Sequence, residues 1–234
     1  GTLLLPDLVT RSGWLARLHS ALPGRPGMAT RLEREIVLER AARAAAARPR
    51  LGGSPFQLRP GLVAAMLDLY DELGRRQRTI RRFTRALFDE LRVERGTDRG
   101  SEGLIRQTAF LGFSFLGYAR AMAASGVIDE HMLRTELLAT QPRLSFDHVI
   151  VAVADHPTDP RGLWPADFDL LGRLRGLSRV DVVLTDEIHD AGFRERLEQE
   201  LPGIEDARHE GPPSAAVLVR PAGDDKDERC FVAR

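Results

Sequence analysis

The 234-residue chain is 43% hydrophobic and carries 34 basic and 34 acidic side chains, so it can bury one large core or two small ones, and its net charge decides nothing about an acidic partner. A single cysteine, Cys230, excludes an internal disulfide and a cysteine-based metal site and fits a reducing compartment, which makes the cytoplasm the expected location. The longest uncharged apolar stretch, Gln107 to Ala119, is shorter than the roughly 18 to 20 residues that span a bilayer, and no charged-then-apolar signal segment opens the chain, so no membrane partner is expected.

Up to about residue 140 the pattern is helical. Thr30-Arg31-Leu32-Glu33 is a capping box, in which each side chain satisfies a free backbone N–H, and it predicts a helix from there to about Arg48. Gly52-Gly53-Ser54-Pro55 breaks it. Pro60 suits a first helical position, and Val63, Met66, Leu67, Tyr70 and Leu73 follow at helical spacing, which predicts a helix to about Arg76. Thr79 can cap a helix bearing Ile80, Phe83, Leu87 and Leu91 on one face. Ser101 can cap a long one that ends at Ser125-Gly126. That helix is apolar nearly all round over Phe110, Leu111, Phe113, Phe115, Leu116 and Tyr118, as the central helix of a bundle would be.

After Gln141-Pro142 the pattern changes. The β-branched runs His148–Ala154 and Val180–Thr185 flank a helical stretch from about Pro165 to Arg173, which is a βαβ unit and predicts a parallel sheet. A further helix is expected over about Ala191 to Leu201, and Ala215–Arg220 and Arg229–Val232 look like a hairpin or two more strands. The expected organisation is a helical block over 1–140 and a sheet block over 141–234. The opening on Gly1 and the strand-like close Cys230–Arg234 are read as cuts in a longer protein.

Several chemistries are excluded. Lys226 is the only lysine and lies in an acidic run, so no glycine-rich phosphate loop with its lysine is present. The 6 histidines include no pair at the i, i+4 spacing of a helical zinc site, and no metal site is expected. Ser12, Ser114 and Ser178 lack the Gly-x-Ser-x-Gly setting of a hydrolase nucleophile, so no catalytic residue is assigned and no cofactor is expected. Trp14 and Trp164 read as packing anchors. The strand ends carry Asp155–Asp159 and Thr185–Glu187, where acidic residues serve capping and solvation or, in a parallel sheet, a site.

The charge cluster is Arg75, Arg76, Arg78, Arg81, Arg82 and Arg85, in a stretch from Leu73 to Phe88 that holds no acidic residue. Arg81 and Arg82 fall in the first turn of the helix that Thr79 caps, where the helix dipole disfavours cations by a few tenths to about 1 kcal/mol. Free N–H groups and guanidinium groups together suit an anion such as a DNA phosphate. A solvated arginine-rich helix face is the alternative.

The order of segments carries a resemblance. A helical block closing on Tyr118 … Gly126-Val127-Ile128-Asp129, followed by the strand and loop Phe146–His156, resembles superfamily 1 (UvrD/Rep-like) helicases, where a helical insertion precedes the Walker B strand. The phrases Leu8–Trp14, Phe56–Val63, Ala166–Leu171 and Arg229–Arg234 look more like the helicase-like half of AddB-type subunits of bacterial helicase-nucleases, of the PD-(D/E)XK nuclease family. The resemblance covers nearly the whole chain and implies an α/β fold: a helical insertion subdomain followed by an incomplete RecA-like (P-loop NTPase-like) parallel-sheet domain. It also implies that Ala152 and Val153 stand where an active helicase has the acidic pair that holds magnesium and activates water, with Asp155 two residues on.

The function so implied is a non-catalytic DNA-binding scaffold in double-strand-break repair, with single-stranded DNA or a duplex end and a helicase-nuclease subunit as partners. A segment of an active ATP-dependent helicase and a protein-interaction module unrelated to DNA are the alternatives.

Overall fold

The computed structural model describes residues 7–49, 55–93, 100–153, 164–189, 194–201 and 230–233. The chain is α/β and divides into two compact units, Gly1–Leu22 with Gln141–Arg234, and Pro23–Thr140. The expected helical block of 1–140 is thus redrawn at its start. Its first described residues form β1 (Asp7–Thr10) and α1 (Arg11–Ala21), and β1 is hydrogen-bonded to a strand near the other end of the chain. Alternation over so short a run does not stand out beside the helix that follows it.

The second unit runs through β2 (Gly27–Met28), α2 (Arg31–Ala46), α3 (Pro60–Arg75), α4 (Ile80–Val93), α5 (Gly100–Ser125), β3 (Val127–Ile128) and α6 (Glu130–Thr140). The capping box forms as read: Thr30 Oγ1 accepts from the Glu33 N–H at 3.3 Å, and Glu33 Oε2 accepts from the Thr30 N–H at 2.7 Å. Pro60 opens α3, and Thr79 Oγ1 accepts from the Arg82 N–H at 3.2 Å at the head of α4. The 26-residue α5 begins at Gly100, so Ser101 lies inside it. Gly126 ends it with φ of 77°, a conformation that favours glycine. Helix α5 packs against α2 and α4 and places Phe110, Phe115, Tyr118 and Met122 in a core with Leu38, Ala42, Val63, Met66 and Leu67. Each fully buried Leu or Phe there contributes about 1.5–3 kcal/mol.

The first unit continues with β4 (His148–Ala152), α7 (Pro165–Arg173), β5 (Arg179–Val183), the short α8 (Asp186–Ile188), α9 (Arg194–Glu200) and β6 (Cys230–Ala233). The βαβ unit is present, with β4 and β5 parallel from His148↔Arg179 to Ala152↔Val183. Val149 and Val151 of β4 are buried with Val153 just beyond it. The sheet as a whole is mixed, in the order β1-β6-β4-β5, and β6 is antiparallel to both β1 and β4. The expectation of a parallel sheet therefore holds for one strand pair. An apolar run marks a strand but not its direction, and β6 enters beside β4 from the chain's end. The expected strand Ala215–Arg220 lies outside the described residues.

Candidate functional site

A polar network sits inside the apolar core of the helical unit. Asp71 falls on the buried stripe of α3, four residues after Leu67, and its carboxylate takes a two-pronged ion pair from Arg34 of α2. His131 Nε2 lies 3.1 Å from Asp71 Oδ1. Arg34 Nε donates to the Tyr118 hydroxyl at 2.9 Å, and that hydroxyl donates to Asp129 at 3.4 Å. Asp129 also caps α6, accepting from the His131 and Met132 N–H groups at 3.0 and 2.9 Å. The Gly126–Asp129 phrase thus has a structural meaning: a helix stop, a two-residue strand and a helix cap.

Electrostatics favour an ionised Asp71 and neutral tyrosine hydroxyls in the network. Burial pushes the Asp71 carboxyl up, but the hydrogen bonds and charges of His131 and Arg34 together outweigh it and keep the group below its ordinary value. Burial pushes the Tyr118 hydroxyl up to about 12, despite the opposing pull of Arg34, so it stays a donor. Tyr70 meets Tyr118, Phe115 and His131 edge to face, with centroids 4.8, 5.6 and 5.7 Å away, and burial raises its hydroxyl too. Gly74 is what lets the His131 ring lie against α3, because a methyl there would run into the ring.

Beside this network, in the same unit, a cavity of about 330 Å³ opens at the head of α4. Tyr70, Ile80, Leu116 and His131 line it, together with Arg78 and Arg81 of the arginine cluster. The cluster splits into three groups. Arg75 donates to Glu130 at 3.1 and 3.2 Å, and Arg76 pairs with Glu72 at 2.8 Å, so both are partnered within the fold. Arg85 stands 3.8 Å from Asp89 with both side chains exposed, a pair worth little. Arg78, Arg81 and Arg82 are exposed and have no ion-pair partner among the described residues. The acid-free stretch was legible in the sequence. The capture of Arg75 and Arg76 was not, since Glu72 lies just outside that stretch and Glu130 is far away in sequence.

In the sheet unit, Ala152 ends β4 opposite Val183, and Val153 donates its N–H to the Val183 carbonyl at 2.8 Å with its side chain buried. Neither side chain offers an oxygen to a metal. Asp155 lies outside the described residues. Of the acidic stretch after β5, Thr185 acts as a cap, its hydroxyl accepting from the Ile188 N–H at 3.3 Å. His148 Nε2 lies 2.9 Å from Asp181 Oδ2 on the neighbouring strand. Among the described residues no group of three His, Cys, Asp or Glu side chains is placed to hold a metal ion, and no helix is long and apolar enough to cross a membrane.

Two of the phrases singled out in the sequence meet in this unit. Arg11, at the start of α1, donates to both oxygens of Asp167 at 2.9 and 2.8 Å. Asp167 is fully buried in the first turn of α7 and also accepts from the Trp164 N–H at 3.2 Å. Trp14 is fully buried, consistent with a packing anchor, and Trp164 is half-buried at the head of α7.

No family model matches the chain, and no curated protein or solved structure matches it either.

Proposed function

We propose that this chain is a non-catalytic scaffold that grips the phosphate backbone of DNA, of the kind formed by the helicase-like half of AddB-type helicase-nuclease subunits, with a partner subunit supplying the motor. The observation that carries this reading is the exposed trio Arg78, Arg81 and Arg82 at the head of α4, without an acidic partner among the described residues. Fork-shaped guanidinium groups pair well with phosphate oxygens, and such contacts position a nucleic acid without reading its sequence. Ala152 and Val153 support the non-catalytic part, because metal-assisted ATP hydrolysis at that strand end needs carboxylates there.

Two assays on the full chain test the reading. Labelled single strands of unrelated base sequence should bind with equal affinity, and Arg78→Gln, Arg81→Gln and Arg82→Gln together should weaken that binding. Steady-state ATPase measured with single-stranded DNA should stay at background. Turnover stimulated by DNA and lost in Asp155→Ala would contradict the scaffold reading and identify a working motor.

A further inference from the structure

We infer that the cavity at the head of α4 receives one nucleotide unit of a single-stranded nucleic acid, with its phosphate at Arg78 and Arg81 and its base against Tyr70, Ile80 and Leu116. This rests on the reading that these arginines grip a phosphate backbone, and it adds the occupant of the site.

Volume comes first. About 330 Å³ is at the low end of the roughly 300 to 1,000 Å³ of small-molecule sites, so the space suits a single monomer unit rather than a duplex. Wall chemistry comes second. Ile80, Leu116 and Tyr70 are among the lining residues and make the wall largely apolar, which a bare anion would not favour and a planar base would. Charge comes third. Arg78 and Arg81 belong to the same lining and have no acidic partner among the described residues, so an anionic group has its counter-charge beside the apolar space. The lining residue His131 is held through Nε2 by Asp71, while its buried Nδ1 has no hydrogen-bond partner among the described residues. An apolar space with a cationic edge fits a body that is planar and uncharged at one end and anionic at the other. A nucleotide has that form. Pairing would hide the base of a duplex, so the site selects single strands.

The test is titration calorimetry of the full chain with thymidine 5′-monophosphate, thymidine and inorganic phosphate at low salt. The nucleotide should bind about tenfold or more tightly than phosphate, the scale of one base–aromatic contact. It should also outbind thymidine. Leu116→Trp, which fills the cavity, should bring the nucleotide down to the level of phosphate while circular dichroism shows the fold retained. If that variant unfolds, the comparison of the three probes on the unmodified chain still decides. Equal binding of nucleotide and phosphate would overturn the role of the cavity, and equal binding of nucleotide and thymidine would overturn the role of the arginines. If a single-stranded oligonucleotide binds through the arginines but the mononucleotide does not, the pocket inference falls and the backbone reading stands. If neither binds, both fall.

Discussion

The two buried ion pairs differ in what surrounds them, and that sets what each substitution does. Asp167 is fully buried and receives the part-buried Arg11 on both oxygens, so Asp167→Ala should cost about 1.5–3 kcal/mol in urea unfolding of the sheet unit, because two charge-assisted hydrogen bonds to a buried carboxylate are lost. Replacing both partners together, Arg11→Met with Asp167→Leu, should cost much less. A double variant as unstable as the single one would contradict this account of the pair. Asp71 adds a pH dependence whose sign follows from its shift. Its folded pKa lies below the unfolded value, so its contribution is fully present above the unfolded pKa and is lost as pH falls through the folded one. The stability gap between the native chain and Asp71→Asn should therefore narrow progressively as pH falls below about 5. A gap that widens below about pH 5 would contradict the arrangement with Arg34, His131 and Tyr118. One signal for this network was in the sequence: Asp71 lies at helical spacing among Leu67, Tyr70 and Leu73, and a carboxylate on an apolar stripe requires partners. Its partners come from α2, α5 and α6, and spacing along α3 could not identify them.

At the scale of elements, boundaries followed local chemistry where a cap or a proline set them. Thr30→Ala removes half of a capping box whose two hydrogen bonds are both made, and should cost the helical unit about 1 kcal/mol, read as a lower unfolding midpoint. An unchanged midpoint would show that packing on α5 alone fixes the start of α2. Pro60, Thr79 and Gly126 acted as the sequence reading expected, and so did the stretch from Pro165 to Arg173. The strands were less legible. His148–Ala152 and Arg179–Val183 stood out as β-branched runs and pair in parallel, but β1, β2 and β3 were hidden in a region read as helical. Strands of two to four residues carry too little alternation to register, and their pairing is decided by residues remote in sequence. The same limit hid the antiparallel placement of β6.

For the molecule as a whole, the arginine cluster is the feature that connects sequence to the proposed function, and the fold narrows it to Arg78, Arg81 and Arg82, with Arg85 weakly paired. Ala152 and Val153 at the end of β4 and a cavity with a cationic edge fit a scaffold only if Arg78, Arg81 and Arg82 meet phosphate. The measurement that decides this is fluorescence anisotropy of a labelled single strand bound to the full chain across a salt series. Three or four phosphate contacts on a single strand predict a log–log slope of about −2 to −3. Arg78→Gln, Arg81→Gln and Arg82→Gln in combination should flatten the slope by about 2. The helix should persist, since glutamine is nearly as good a helix former as arginine. A triple variant that stays folded and keeps both the affinity and the slope of the native chain would contradict the account and leave the cluster as a solvated helix face.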